Sequence, residues 1–123
     1  MEFIEIENIK ELYSHGIISR QLISPKNSKS QRVTITEVHL EIEASQPRHK
    51  HNTSEQIWYA IQGKGKLLLE DNKELEFKAG DVVRFSDNDI HGLLNDGDTD
   101  FIYISVTSPP IDFEYAYKDK NNM

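Results

Sequence analysis

The sequence predicts an all-β protein that folds as one closed or sandwiched domain. Short runs of strand-forming residues follow one another along the chain, and clusters of turn residues separate them. Within several runs apolar and polar side chains alternate, which is the pattern of strands with one buried face. A chain of 123 residues has room for a single core, so we predict no second domain.

The predicted strands cover residues 17–23, 33–43, 56–62, 66–70, 74–78, 82–85 and 101–106, with His49 on a further short strand. Asn8 is placed to cap one helical turn that runs through Leu12. In 33–43 the apolar positions change parity, which predicts a bulge near Thr36 and Glu37. We divide the chain into an N-terminal extension with the first strand, the barrel and a C-terminal tail, which are residues 1–30, 31–108 and 109–123.

The composition limits the function classes. Fourteen Lys and Arg against twenty-one Asp and Glu give a formal charge of −7, which argues against nucleic acid or anionic membrane as a partner. No apolar run approaches the ~20 residues that cross a bilayer, and the acidic N-terminus is unlike a signal peptide. The chain has no cysteine, so a metal must be held by nitrogen and oxygen. We predict a cytoplasmic protein.

Three histidines and a glutamine are the candidates for a metal site. His49 and His51 are two residues apart, which on a strand directs both imidazoles to one side. Gln56 begins the next strand, and His91 follows the predicted strand 82–85. Neutral imidazole is a good ligand for zinc, nickel and iron. These four side chains would form a metal site if the sheet brings them together.

At these positions the chain resembles the cupin superfamily. The two cupin motifs combine a His-x-His pair, a glutamate, a third histidine and an asparagine with glycines at fixed intervals. The matching residues are His49, His51, Gly63, Gly80, His91 and Asn95. The departures are Glu43 and Asn88 at glycine positions, Gln56 at the glutamate position and Ser86 at the proline position.

The resemblance implies a jelly-roll β-barrel that holds one divalent ion, with Zn, Ni, Mn and Fe as candidates. It assigns His49, His51, Gln56 and His91 as ligands. Gln56 would leave the full charge of the cation uncompensated, so weaker metal retention and a more acidic bound water are expected. Glu55 fits the shorter spacing that the first motif allows, but it has the opposite strand parity. It stays an alternative ligand if the strand is bulged.

The resemblance implies several functions, because cupins include isomerases, epimerases, lyases, oxygenases and non-catalytic binding domains. Our leading interpretation is a metal-dependent enzyme that uses the ion as a Lewis acid on a small oxygenated metabolite, such as a sugar acid or keto-sugar. A His-x-His, Gln, His set occurs in cupins that convert cyclic unsaturated uronates to their linear keto form. The alternatives are a module that binds a small ligand or a metal, and a metal-dependent dioxygenase.

No catalytic residue follows from the sequence, but four side chains are candidates for the pocket. Trp58 shares strand parity with Gln56, which places it on the same wall. Tyr103, Arg84 and His39 are polar candidates whose direction the sequence leaves open. For His39 the alternative is a solvated face.

The opposite face of the same strand predicts a homodimer. Ile57, Tyr59 and Ile61 are apolar and point away from Gln56. An apolar face of this kind needs a cover, which is either the N-terminal segment or a second copy of the chain. Symmetric pairs are the commonest soluble oligomers.

Overall fold

The protein forms two antiparallel sheets that face each other, in a computed structural model that describes residues 1–121. The larger sheet has the order β1-β2-β3-β10-β5-β8, and the smaller has the order β4-β9-β6-β7. The strands are β1 (Lys10–Ser14), β2 (Ile17–Ile23), β3 (Thr34–Leu40), β4 (Ser45–His49), β5 (Glu55–Gln62), β6 (Lys64–Leu69), β7 (Glu74–Lys78), β8 (Val82–Phe85), β9 (His91–Leu94) and β10 (Phe101–Ser108). This arrangement confirms the all-β jelly roll.

Helical structure is confined to short pieces. Two 3-10 turns cover Ile6–Asn8 and Glu70–Asn72, and one helix, α1, covers Glu114–Asn121. Among the helices of the described residues, none is long and apolar enough to cross a membrane. Lys10 on β1 forms an ion pair with Glu114 at the start of α1. The C-terminal segment is thereby held against the first strand.

Strand pairing arranges the inward side chains of the larger sheet in rows. One row contains Thr36, Ser105 and Trp58, which face one another across β3, β10 and β5. The next row contains Tyr103 and Ala60 on β10 and β5. All five side chains are buried. The middle of this face therefore carries hydroxyl groups beside aromatic rings.

Apolar side chains from both sheets fill the remaining space between them. Phe77 of the smaller sheet stacks on Phe101 of the larger one, with their ring centroids 5.7 Å apart. Tyr103 contacts both Phe101 and Trp58, at centroid distances of 6.2 and 4.4 Å. Tyr103 thus joins the apolar core to the aromatic cluster that surrounds the histidines. The fully packed members of the core are Leu40, Trp58, Ala60, Leu67, Phe77, Leu93, Phe101 and Tyr103.

Two local predictions were wrong. Asn8 does not begin a helical turn but ends a 3-10 turn, and β1 starts at Lys10, with Leu12 and Ser14 pointing inward and the strand pairing with β2. The bulge near Thr36 and Glu37 is absent, because β3 alternates without a change of phase. Its threonines point inward with the apolar residues that follow, and Ile35 lies on the outer face. The register of the neighbouring β2 shifts between Gln21 and Ile23 instead.

Two departures from the cupin motifs keep the backbone that a glycine favours. Glu43 and Asn88 have φ angles of 71° and 70°, which is the left-handed region where a side chain is disfavoured. The backbone N–H of Asn88 donates to the carbonyl of His51 at 2.7 Å. The left-handed residue therefore lies in a turn that holds the end of the His-x-His segment.

Asn95 has a structural role in this fold. Its side chain is fully buried, and its Nδ2 donates to the carbonyls of Leu40, Glu41 and Thr99 at 3.1, 3.2 and 2.9 Å. Its Oδ1 accepts the N–H of Gly97 at 3.1 Å. The asparagine therefore ties the turns at one end of the barrel together and lies apart from the histidines.

We expect Glu43→Gly to stabilise the protein. The left-handed conformation costs an ordinary residue about 1–2 kcal/mol, and the extra freedom of glycine in the unfolded chain offsets about 0.4–1 kcal/mol of that gain. Chemical denaturation should therefore show a net gain of about 0.5–1 kcal/mol. Glu41→Gly, two residues earlier and outside the left-handed region, is the control and should lose stability. A loss in both variants would contradict the assignment of strain to residue 43.

Candidate metal centre

Three imidazoles converge between the two sheets. His49 ends β4 and His91 begins β9, and these adjacent antiparallel strands pair the two residues directly. His51 follows β4 and turns its ring towards the same point. One nitrogen from each of the three rings lies within 4.8 Å of the others. The sequence reasoning expected this convergence, and the β4–β9 pairing produces it.

Backbone carbonyls fix the tautomer of two of these rings. His49 Nδ1 donates to the carbonyl of Pro47 at 2.8 Å, and His91 Nδ1 donates to the carbonyl of Asp89 at 2.8 Å. A carbonyl only accepts, so each neutral ring carries its proton on Nδ1 and keeps a lone pair on Nε2. Metal-binding histidines have the same outer contact.

The third ring has a buried nitrogen without a partner. His51 Nε2 is shielded from solvent and has no hydrogen-bond partner among the described residues. Burial, with His49 nearby, lowers the pKa of His51 to about 4. Burial also lowers the pKa of His91 to about 4, although the Asp89 carbonyl opposes this shift. Both rings are therefore neutral at pH 7, which is the form that binds a metal.

Gln56 approaches the triad with its carbonyl oxygen. Its Oε1 accepts the indole N–H of Trp58 at 3.1 Å, and its Nε2 donates to Thr107 Oγ1 at 2.9 Å. The indole nitrogen only donates, so it determines which end of the amide faces inward. Gln56 Oε1 lies 3.1 Å from His91 Nε2. Two atoms that both offer lone pairs are thus close neighbours.

These contacts fit a bound cation. Two buried acceptors in contact and one unpaired imidazole nitrogen are unfavourable unless a positive charge or a donor satisfies them. A divalent ion satisfies such groups together, and nitrogen with oxygen is a donor set that several transition metals accept. The histidine triad is thus positioned to hold a metal ion.

The alternative ligand Glu55 and the pocket candidates Arg84 and His39 lie away from the triad. Arg84 Nε donates to Glu55 Oε2 at 2.7 Å, on the outer face of the larger sheet. His39 Nε2 contacts Glu37 Oε1 at 2.8 Å, also on the outer face. The placement of Arg84 and His39 in the pocket is therefore corrected. Their strands alternate, and the inward positions belong to their neighbours.

A cavity of about 280 Å³ adjoins the triad, and Trp58 and Tyr103 line it. Trp58 is 1% exposed, so its indole supports Gln56 and offers little free surface. The hydroxyl of Tyr103 donates to Gln46 Oε1 at 2.8 Å. Burial raises the pKa of Tyr103 well above its ordinary value, so the phenol stays protonated and acts as a hydrogen-bond donor.

The sequence analysis missed the hydroxyl groups of the cavity. Ser14, Ser19, Thr36 and Ser105 line it from four strands of the larger sheet. A usable signal was present in β3, where Thr36 is in phase with the buried Val38.

The C-terminal segment was missed as well. Phe113 and Tyr117 line the cavity, and the ring of Phe113 meets the ring of His51 edge to face at 6.0 Å. Burial raises the pKa of Tyr117, and Ser19 forms a hydrogen bond with its hydroxyl. The tail therefore contributes a wall to the cavity. Aromatic residues at alternate positions from residue 113 were the available signal.

The cupin-domain profile matches residues 36–107 of the chain. The chain belongs to the cupin family. This cupin is 30% identical over 116 residues to an uncharacterized protein of Methanocaldococcus jannaschii, covering 94% of this chain and 89% of that protein. It is 33% identical over 58 residues, 47% of each chain, to the oxalate-binding protein of Thermotoga maritima.

A solved structure shares the fold. KdgF from Halomonas sp. superposes on this cupin with a TM-score of 0.76 and 20% identity, covering 90% of this chain and 97% of that one. At this identity the likeness shows the fold alone.

We expect the purified protein to bind about one divalent ion per chain, the usual occupancy of a single site with this donor set. His91→Ala should weaken binding by more than ~100-fold, because it removes a ligand and leaves Gln56 Oε1 without its neighbour. Elemental analysis and calorimetry with Zn, Ni, Mn and Fe measure this. His39→Ala, on the outer face, is the control and should bind normally. Equal binding by both variants, or no binding by the wild type, would contradict the site.

Gln56→Glu should tighten metal binding by roughly tenfold, because it adds a negative charge without changing the reach of the side chain. The indole of Trp58 can still donate to the new carboxylate, and the Thr107 hydroxyl can rotate to donate as well. Competition with a chelator of known affinity gives the ratio. Gln46→Glu, in the cavity wall and bonded to Tyr103, is the matched control. Unchanged affinity in Gln56→Glu would show that Gln56 is outside the ligand set.

Proposed function

We propose that this cupin holds one divalent ion through His49, His51, His91 and Gln56 and acts on a small oxygenated metabolite. The observation that carries the proposal is the contact of Gln56 Oε1 with His91 Nε2, 3.1 Å apart. When bound, the ion supplies a Lewis acid that polarises a carbonyl or hydroxyl oxygen. Zn, Ni, Mn and Fe are compatible with these donors. A cytoplasmic location stays a prediction from the absence of cysteine.

The charge of the cavity favours an acid as the metabolite. No Asp or Glu is among the described residues that line it, and Lys50 lies on its wall. Imidazole and amide groups bind a metal in their neutral forms, so a divalent ion would bring its full charge to the cavity. An anionic group on the metabolite compensates that charge. A sugar acid, such as an unsaturated uronate, meets this requirement.

Few side chains of the cavity could take part in proton transfer. The phenol of Tyr103 is a donor at neutral pH and is held by Gln46. It can stabilise a developing negative charge on an oxygen by hydrogen bonding. Trp58 keeps Gln56 in one orientation. The described cavity residues include no carboxylate that would act as a base.

The lack of a general base among the described cavity residues supports a second candidate, a binding module without turnover. General acid–base catalysis needs a group with a pKa near the working pH within reach of the substrate. Burial moves the pKa of Tyr103 away from that range. The T. maritima relative is named an oxalate-binding protein. A chelating acid held at the metal would satisfy the cavity equally well.

Substrate screening separates the two candidates. Metal-loaded wild type should convert at least one compound from a panel of unsaturated uronates and keto-sugars. His49→Ala, treated with the same metal, should be inactive because a ligand is missing. Product analysis by NMR measures conversion, and His15→Ala, in an exposed turn, is the control with normal activity. If acids raise the melting temperature of the wild type but are not converted, the protein is a binding module and not an enzyme. If no compound is converted and none raises the melting temperature, both candidates are contradicted.

The proposal includes a homodimer that covers the outer face of the larger sheet. Ile57, Tyr59, Ile61 and Val82 are 38, 48, 46 and 63% exposed. The N-terminal strand β1 forms one edge of this sheet, and three strands separate it from β5. It therefore leaves the apolar face open. A second copy that presents the same face would bury it.

Sedimentation should give a dimer at micromolar concentration, and Ile57→Lys with Tyr59→Lys should give a folded monomer. Two buried lysines would face each other across the symmetry axis and repel. Leu75→Lys is the control, since Leu75 is 57% exposed on the smaller sheet. A monomeric wild type would contradict the dimer. A control that also dissociates would move the interface to the smaller sheet.

A further inference from the structure

We propose that the cavity contains a second binding region, a hydroxyl wall formed by Thr36 and Ser105. The wall takes the hydroxylated carbon chain of an α-hydroxy or α-keto acid whose acid end lies at the metal centre. The inference rests on the proposed function and names the class of its ligand. It assigns recognition of the chain to side chains outside the ligand set.

Strand register places the wall beside the metal centre. Ser105 lies opposite Trp58, and Thr36 lies opposite Ser105 on the next strand. Directly opposed side chains on paired strands are about 5 Å apart at Cβ. The two hydroxyls therefore continue the row that starts at Trp58, whose indole N–H contacts Gln56. A chain that leaves the metal centre along this row meets them in order.

The wall consists of hydroxyls that the protein leaves unpaired. Thr36 and Ser105 are 3 and 4% exposed and line the cavity. Their hydroxyls take part in none of the hydrogen bonds found in the described part of the chain. They are therefore open to water or to a ligand in the cavity. Ser14 also lines the cavity, but it lies two rows further along the sheet, opposite Ile17, and its Oγ is shielded.

Other inward hydroxyls of the same sheet show the contrast. Thr34, two residues before Thr36, donates to the carbonyl of Ile111 and accepts its N–H, at 3.1 and 3.0 Å. Thr107, two residues after Ser105, accepts the amide of Gln56 at 2.9 Å. Thr34 and Thr107 face each other in the adjacent row, so the protein satisfies the hydroxyls next to the wall. The unpaired groups are concentrated where the cavity is, which assigns them to a ligand.

The volume of the cavity agrees with a chain longer than two carbons. Its volume of about 280 Å³ corresponds to about nine water molecules at ~30 Å³ each. A two-carbon acid would fill a small part of it. A polyhydroxylated acid of five or six carbons would replace the waters that hydrate the wall and reproduce their hydrogen bonds.

Three acids separate chelation from recognition of the chain. Glycolate carries the chelating α-hydroxy acid alone. 2-Hydroxyhexanoate adds six-carbon length without further hydroxyls, and D-gluconate adds the hydroxyls. Isothermal titration of zinc-loaded wild type should give about tenfold tighter binding of gluconate than of 2-hydroxyhexanoate, as one or two net hydrogen bonds would supply.

Two variants test the wall directly. Thr36→Val and Ser105→Ala, made singly, should each reduce the gluconate preference at least threefold and leave glycolate affinity unchanged. Neither substitution removes a hydrogen bond within the protein, so the melting temperature should stay close to that of the wild type. Ser45→Ala, exposed on β4, is the control that should keep the full preference.

The outcomes distinguish this inference from the function on which it rests. No binding of glycolate by the zinc-loaded protein would overturn the proposed function and the wall together. Glycolate binding with equal affinities for gluconate and 2-hydroxyhexanoate would overturn the wall alone. A gluconate preference that survives in both variants would also overturn it. A preference lost in the variants and kept in Ser45→Ala would support the wall.

Discussion

The pairing of His49 with His91 across β4 and β9 is the contact on which the site depends. It brings two imidazoles together while their Nδ1 atoms donate to backbone carbonyls, so both Nε2 atoms point to a common centre. The larger sheet then supplies Gln56 from the opposite side, in the orientation that Trp58 imposes. Each half of the site is built by one sheet. The jelly roll is the framework that sets them face to face.

The second constraint is electrostatic. The chain as a whole carries −7, yet the described lining of the cavity has no carboxylate and includes Lys50. The glutamine at the position where cupins usually have glutamate removes one more negative charge. The described lining of the site therefore supplies no negative charge to balance a bound cation. An acid completes it, and this explains why the leading function and the binding alternative both involve an anionic ligand.

Side-chain alternation predicted the strands better than it predicted their inner faces. The ends of β2, β7 and β8 agree with the predicted runs. In β3 both faces carry β-branched residues, so alternation alone could not show that Thr36 points inward and Ile35 outward. The inward face depends on which neighbours pair with it, and β2 and β10 come from distant parts of the chain.

The histidine triad was predictable from the sequence, because the His-x-His pair and the more distant His91 match the spacing of the two cupin motifs. The rest of the cavity was not. Arg84 pairs with Ile57, the residue after Gln56, yet its parity directs it to Glu55 on the outside. Phe113 and Tyr117 reach the cavity only because the tail folds back along β1. At two glycine positions of the cupin motifs, Glu43 and Asn88 adopt the left-handed backbone that glycine favours. Their residue types alone do not predict this conformation.

The central claim is that three imidazoles and the amide oxygen of Gln56 surround one ion. X-ray absorption spectroscopy of the zinc-loaded protein at neutral pH measures that shell directly, because imidazole rings give a distinct multiple-scattering signal. The account predicts three imidazoles per ion and at least one oxygen, with metal–nitrogen distances near ~2.1 Å. An ion bound by fewer than two imidazoles, or by oxygen alone, would contradict it.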